Sequence, residues 1–315
     1  MNRDSVVWSG PMPAVVTPFD DDLAIDERLF IGNIERLLAS GATGVVVGGC
    51  TGEFWAMDMA ERTRLFALGV KAAAGRGPVI AGTGAIRAQD AIALTRQAQD
   101  VGCDGALILP PYFVKLTDDE IFMHYETIAA SVDFPVVLYN IPGNAVNNLR
   151  PELVRRLADL DPVVAVKESS GDWNNFYATA LAVQDRLRVF CGPSSVFGLS
   201  AVGIGADGLI DCFPNMWLPG GIDLYYAARD GRLEDARRLQ AIGVRLTTLL
   251  TSEGRTLYPA TKAAMDMLGL PGGAPRPPLR PLGSAQLAGL RLGLQQLGVL
   301  TNPVAAGLRP ASAAQ

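Results

Sequence analysis

Eight short β-rich apolar runs alternate with helix-spaced stretches up to about residue 230, and this alternation constrains the fold more than any other feature of the 315-residue chain. The runs are Pro13–Thr17, Gly44–Gly49, Val79–Gly82, Gly105–Pro110, Pro135–Asn140, Val163–Glu168, Arg188–Gly192 and Gly208–Phe213. Each precedes apolar residues at helical intervals, as in Leu29, Ile34, Leu37 and Leu38, or Leu153, Val154, Leu157 and Leu160. Strands that alternate with helices pair in parallel through right-handed crossovers. Eight such units fit a closed (β/α)8 barrel better than a doubly wound sheet. A weak repeat marks the joints: Gly41-Ala42-Thr43-Gly44, Gly102-Cys103-Asp104-Gly105 and Gly205-Ala206-Asp207-Gly208 each stand before an apolar strand. The first glycine of each suits the left-handed residue that ends a helix.

Beyond the eighth unit the pattern changes. Arg232–Leu250, Ala260–Leu268 and Ser284–Leu297 read as helices with no strand between them, and Pro271 to Pro281 reads as a Pro/Gly linker. The expected organisation is a catalytic barrel over residues 1–230, a helical extension over 231–300 and a disordered tail over 301–315.

Composition narrows the function. Forty-nine per cent apolar and 19 % charged residues describe a globular chain, and a net charge of −5 argues against a nucleic-acid partner. No window approaches the roughly 20 apolar residues of a membrane helix, and Met1 to Pro11 lacks the apolar core of a signal peptide. Cys50, Cys103, Cys191 and Cys212 are widely spaced with no C-x-x-C pair, as expected for reduced thiols of a cytoplasmic protein. The single histidine, His124, leaves no histidine metal cluster and no Ser-His-Asp triad, so the chemistry falls to other groups. His124 lies on a helical stretch and reads as a packing or surface residue. Gly203-Ile204-Gly205-Ala206-Asp207-Gly208 matches G-x-G-x-x-G, but it precedes a strand instead of linking strand to helix, so it is no dinucleotide site.

In a parallel barrel, reactive groups sit at the C-terminal strand ends. The sixth run, Val163-Val164-Ala165-Val166-Lys167-Glu168, ends in one of only four lysines. Lys71 falls on a helix and Lys262 in the extension, where a solvated role is the default. Lys115 lies in a loop beyond the fourth strand. Burial at an apolar strand end lowers an amine's pKa and leaves more neutral amine to attack a carbonyl. The alternative for Lys167 is a structural ion pair, with Glu168 the nearest candidate. On the next strand, Tyr139 occupies the matching inward position with Val137, as Lys167 does with Ala165 and Val163, and its phenol can relay protons. A barrel-capping aromatic is the alternative there. After the second strand, Gly48-Gly49-Cys50-Thr51-Gly52-Glu53-Phe54 can converge backbone amides and the Thr51 hydroxyl on a carboxylate, with Glu53 bracing the loop.

Gly49-Cys50-Thr51-Gly52-Glu53, Tyr139-Asn140-Ile141-Pro142 and Val166-Lys167-Glu168, with Val16-Thr17-Pro18-Phe19 near the start, resemble the signature segments of the dihydrodipicolinate synthase / N-acetylneuraminate lyase family over residues of about 10 to 298. The resemblance implies Lys167 as the Schiff-base lysine and Tyr139 as the proton-transfer residue. It also implies Thr51 on the 2-oxo acid carboxylate, Gly192 and Ile210 lining the pocket, and Tyr112 in an aromatic pair after the fourth strand. It implies no metal or cofactor, a small 2-oxo acid as partner, and a homotetramer built from dimers.

Three departures bear on substrate. Cys50 stands where dihydrodipicolinate synthases usually carry threonine, Phe113 where they carry a second tyrosine, and Asn144 where an arginine binds the semialdehyde carboxylate. An amide at Asn144 suits hydroxyl groups. Pro110-Pro111-Tyr112-Phe113 with Gly52-Glu53-Phe54 resembles the ketodeoxyglucarate dehydratase branch, which nevertheless departs from the Ile141-Pro142 kept here. The expectation is therefore an aldolase or dehydratase of a 2-oxo-3-deoxy sugar acid. The rivals are 4-hydroxy-tetrahydrodipicolinate synthesis, a non-catalytic 2-oxo acid binder on the same barrel, and a Cys50-dependent enzyme.

Overall fold

Eight parallel strands form the barrel wall: β1 (Gly10–Pro11), β2 (Val45–Val47), β3 (Val79–Gly82), β4 (Gly105–Ile108), β5 (Val136–Asn140), β6 (Val163–Glu168), β7 (Arg188–Cys191) and β8 (Gly208–Leu209). They pair in the order β1-β8-β7-β6-β5-β4-β3-β2. The computed structural model describes residues 1–300, and the tail expected over 301–315 lies outside the described residues. A parallel bridge between Ala14 and Val46 joins the first segment to β2 and closes the cylinder.

The first strand starts three residues earlier than expected and its regular ladder is short, because prolines at 11 and 13 have no N–H to give. The segment divides its bonding instead. The amides of Gly10, Met12 and Ala14 donate to carbonyls of Asp207, Leu209 and Asp211, while the carbonyls of Pro11 and Pro13 accept from Thr43 and Val46. Both edges are thereby satisfied, so few residues suffice for closure.

A helix follows each strand: Glu27–Ala39, Met59–Ala73, Ala88–Asp100, Asp118–Ala129, Pro151–Leu157, Trp173–Val183, Ser194–Gly203 and Ile222–Arg229. The repeated glycines work as the sequence suggests. Gly41, Gly102 and Gly205 have φ of 98°, 91° and 96°, and each amide donates to the carbonyl three residues back as the helix ends. The G-x-G-x-x-G stretch runs from the end of the Ser194–Gly203 helix into β8, the wrong context for a nucleotide loop.

Strand alternation sends one face to the helices and the other to the barrel interior. Val45, Val47, Val136, Leu138, Val163 and Val166 join the outer core. Val46, Ile80, Leu107, Val137, Tyr139, Ala165 and Ile210 join the inner one. One expectation fails here: Val163 faces outward, and Val164 faces inward beside Ala165. The β5–β6 register shifts between Val136↔Val163 and Val137↔Ala165, so Val164 is an extra, bulged residue. The bulge restores alternation and leaves Lys167 on the inside, opposite Tyr139.

Three further helices, Leu233–Thr251, Leu257–Met267 and Ser284–Gln296, pack over the barrel's end. Their Leu246, Leu250, Ala264, Leu290 and Leu294 share a buried cluster with Val16, Cys212, Phe213 and Met216. The stretch expected as a linker is a packed strap. Arg276 makes a two-pronged ion pair with Glu61 at 2.6 and 2.8 Å and also donates to carbonyls of Leu23 and Ala56.

Candidate active site

Lys167 is the last inward-facing residue of β6, with 6 % of its surface exposed, and its Nζ lies 4.1 Å from the centre of the Tyr139 ring. Burial lowers the amine's pKa, opposed by the neighbouring Cys50, Asp211, Cys212 and Cys191. Glu168, the rival ion-pair partner, points outward. Its carboxylate accepts from the Ser170 amide at 2.5 Å, Asn175 Nδ2 at 2.9 Å and Asn140 Nδ2 at 3.2 Å. Beyond the bulge β6 alternates regularly, so Lys167 and Glu168 face opposite sides of the wall and do not pair.

Tyr139 is 4 % exposed, and burial pushes its phenol well above the usual range. A phenol so placed stays protonated and is suited to donate and recover a proton without resting as phenolate. Cys50 and Thr51 lie in a single 3₁₀ turn, Cys50–Gly52, after β2, both buried. Gly48 permits the turn by taking φ of 63°, where an added Cβ would stand 3.0 Å from Phe66. Cys50 shares the inner cluster with Tyr139, Tyr258 packs against that cluster, and burial raises the thiol's pKa. Such a thiol is a poor nucleophile at neutral pH, which weighs against a Cys50-dependent enzyme.

The other expected residues fall around the same mouth. Ile210 follows β8 and belongs to the inner core, against which Tyr112 packs half-buried, edge-on to Phe54 at 6.2 Å. Gly192 follows β7, and a Cβ there would lie 1.5 Å from Ser169 Oγ, so no larger residue fits. Asn144 sits on the short helical turn Pro142–Ala145, exposed, with Nδ2 donating to the Tyr258 hydroxyl at 3.3 Å. Lys115 is exposed on the loop after β4, away from this cluster. His124 is buried against Tyr125, and burial lowers its pKa to about 4, consistent with packing.

Four residues escaped the sequence reading. Tyr258 belongs to the extension and gave no signal at a strand end. Asp211 follows β8 and accepts from Ser194 Oγ at 2.7 Å and the Ser195 amide at 3.1 Å, so its carboxylate caps the Ser194–Gly203 helix near the lysine. The buried Arg62 shares a small cavity with Cys50 and Tyr139, donates to carbonyls of Gly82 and Gly84, and has a pKa lowered to about 10 by burial. Lys262, expected in solvent, is 2 % exposed and pairs with the fully buried Glu53 at 2.5 Å. Glu53 also accepts from the Arg276 amide at 3.0 Å, which makes it the loop brace its position suggested.

Among the described residues no cluster of three His, Cys, Asp or Glu is placed to hold a metal, and no helix is long and apolar enough to cross a membrane. A desolvated amine beside a phenol that burial keeps protonated suits imine chemistry.

Comparison with known proteins bears on the same site. The sequence profile of the dihydrodipicolinate synthetase family matches residues 8–297. A 4-hydroxy-tetrahydrodipicolinate synthase of Syntrophobacter fumaroxidans is 36 % identical over 297 residues, 93 % of this chain and 100 % of its own. An uncharacterized DapA-like lyase of Rhizobium meliloti is 35 % identical over 298 residues, 93 % of this chain and 97 % of its own. Among solved structures, the Escherichia coli K12 prophage protein YagE, of the dihydrodipicolinic acid synthase family and in complex with pyruvate, superposes with a TM-score of 0.87 at 27 % identity, covering 93 % of this chain and 100 % of its own.

Proposed function

We propose that this chain, which belongs to the dihydrodipicolinate synthetase family and is a lyase, forms a Schiff base between Lys167 and the C2 carbonyl of a 2-oxo-3-deoxy sugar acid. The observation that carries the reading is the buried Lys167 amine, lowered in pKa and set over Tyr139. Thr51 and the amides of its turn hold the substrate carboxylate, and Gly192, Ile210, Tyr112 and Cys50 shape the pocket.

The neutral amine adds to C2, and loss of water gives an iminium that acts as an electron sink. C3–C4 cleavage then releases an aldehyde, or C3 deprotonation followed by loss of the C4 hydroxyl gives the dehydrated product. Both routes start from this iminium and each forms an enamine, that of pyruvate after cleavage or that of the intact acid before the C4 hydroxyl leaves, and Tyr139 exchanges the protons. No step draws on a metal or cofactor. The reading extends to a homo-oligomer of paired dimers.

Support for a sugar-derived tail comes from Asn144, a neutral hydrogen-bonding side chain at the mouth instead of a cation. The second reading, 4-hydroxy-tetrahydrodipicolinate synthesis, is favoured by the printed activity of a relative 36 % identical. Borohydride added with pyruvate or a longer 2-oxo acid tests the shared premise: one adduct per chain is expected, at Lys167, and an adduct at Lys115 or none at all defeats it. Turnover of a panel of 2-oxo-3-deoxy acids, against turnover of pyruvate with aspartate semialdehyde, separates the two readings and excludes a mere binder if either proceeds. Brisk condensation with the semialdehyde would overturn the sugar-acid assignment.

A further inference from the structure

Four basic side chains are buried among the described residues: Arg62, Lys167, Arg255 and Lys262. Arg255 pairs with Glu253 at 2.8 Å and Lys262 with Glu53 at 2.5 Å. Lys167 and Arg62 have no carboxylate at ion-pair distance among the described residues, and both stand beside Tyr139. Arg62 lies on the helix Met59–Ala73 and is 6 % exposed. Its Nη2 donates to the carbonyls of Gly82 at 2.5 Å and Gly84 at 3.2 Å, while its buried Nε has no hydrogen-bond partner. Gly82 ends β3 directly against the loop that carries Thr51: a Cβ on it would stand 2.2 Å from the Gly48 carbonyl oxygen and 3.0 Å from the Gly49 nitrogen. At the other end of that loop, the guanidinium lies over the Phe54 ring, 5.1 Å from its centre. Arg62, Gly48, Gly49, Cys50 and Tyr139 border one cavity of about 10 Å³, room for no more than a water.

We infer that Arg62 is a positioning residue and the counter-cation of the turn that holds the substrate's C1 carboxylate, and that it gives the site its preference for 2-oxo acids over uncharged 2-oxo compounds. The inference rests on the Schiff-base reading proposed above. A buried charge ordinarily has a partner, and Arg62 has only carbonyl dipoles. An arriving carboxylate completes the pair. The cavity is too small to admit any group of the substrate, so Arg62 acts across Gly48, Gly49 and Cys50 without touching it. Other cations cannot take this part. Lys167 adds to C2 only as the neutral amine, so it brings no positive charge to the carboxylate. Lys262, behind the loop, is already matched by Glu53. The labour is divided: Thr51 and the amides of the turn supply hydrogen bonds, and Arg62 supplies the charge.

Pyruvate and pyruvamide are the probes, because they share the ketone and differ in the charge of the neighbouring group. The concentration of each that half-saturates imine trapping with borohydride is measured. That concentration does not depend on the fraction of active protein, and the ratio of the two cancels any change in the amine itself. Arg62→Gln keeps a polar side chain and removes the charge. Half-saturation by pyruvate should rise roughly 10-fold or more, the effect of a full charge within about 10 Å in a partly buried medium, while that by pyruvamide should hardly move. Arg62→Lys restores a cation and should recover most of the loss at neutral pH. A buried lysine loses its proton far more readily than arginine, so the preference of Arg62→Lys for pyruvate should fall as pH rises, whereas that of the wild type should not. This arm decides the matter if Arg62→Gln does not fold, and a ratio as flat with pH as that of the wild type overturns the inference. Equal weakening of both probes in Arg62→Gln would show that Arg62 only shapes the turn, and an unchanged ratio would likewise remove it as the counter-cation. If the wild-type protein traps no imine with pyruvate or any longer 2-oxo acid, the Schiff-base reading itself has fallen, and that outcome is visible before any variant is made.

Discussion

The proposed chemistry asks Lys167 to be both buried and reactive, and burial of an amine has a consequence for stability. Burial disfavours the ammonium form, so the folded pKa lies below lysine's ordinary value. Between the two values the unfolded chain binds more protons than the folded one, and stability rises with pH across that window. Lys167→Met keeps the stem and removes the titration. The variant should trap no imine, yet melt about 2–4 °C higher at neutral pH, the shift that roughly 1 kcal/mol produces in a large domain. Its advantage should shrink as pH climbs toward lysine's ordinary value; a lower melting temperature than wild type would show that the amine's contacts outweigh its desolvation. Asp211 is the counterweight, since its carboxylate favours the ammonium form. In Asp211→Asn the amine should lose its proton more readily, so the acidic limb of kcat/KM should move to lower pH. A limb that stays put or moves up would mean that Asp211 acts only as a helix cap. For Tyr139, Tyr139→Phe should cost about 10²–10⁴-fold in kcat with a smaller change in KM, as for a proton-transfer group. If only KM rises, Tyr139 is a binding residue and the shuttle lies elsewhere.

At the level of elements, the loop carrying Cys50 and Thr51 is held from behind by the C-terminal extension. Glu53 stands in a left-handed conformation, φ 58°, with its carboxylate buried against Lys262 and the Arg276 amide. Removing one partner of a buried pair leaves the other charge uncompensated and typically costs 3–5 kcal/mol, whereas replacing both can be nearly neutral. Glu53→Gln and Lys262→Met should therefore each lower the unfolding free energy by about 3 kcal/mol or more, and the double variant by less than their sum. Additive losses in denaturant melts would show that the two charges do not depend on each other. The same clamp explains what the sequence could and could not disclose. Barrel strands, glycine helix stops and the ends of β5 and β6 carry local periodicity, so the inward placement of Lys167 and Tyr139 was legible. The bulge at Val164 was not, because a run of small apolar residues looks alike in either register. Nor were Lys262 and Arg276, whose partners Glu53 and Glu61 are about 200 residues away in sequence. A lysine at helical spacing reads as solvated until a distant carboxylate is placed beside it.

The whole molecule leaves an apolar stripe uncovered on two neighbouring helices of the barrel. Tyr177 is 43 % and Leu181 58 % exposed, one helical turn apart on Trp173–Val183, and Val196 on the next helix is 37 % exposed. Trp173 stacks on Tyr177 and meets Phe197 edge-on at 5.5 Å, so the two helices present one continuous surface. Scattered exposed apolar residues are ordinary, but an aligned aromatic and aliphatic row on adjacent helices is the pattern of a covered face. Because closed homo-oligomers bury identical patches against each other, the occupant that fits the proposed assembly is a second copy of this chain. Sedimentation velocity at micromolar concentration should then show species that are multiples of the 33.3 kDa chain, with no monomer at equilibrium. Leu181→Asp places a charge at the most exposed point of the stripe and should shift the distribution to smaller species, while leaving the far-UV circular dichroism of the barrel unchanged. A monomeric wild-type protein would refute the assembly outright. An intact oligomer in Leu181→Asp, at all concentrations tested, would mean that the contact lies on another face and that this stripe is simply exposed.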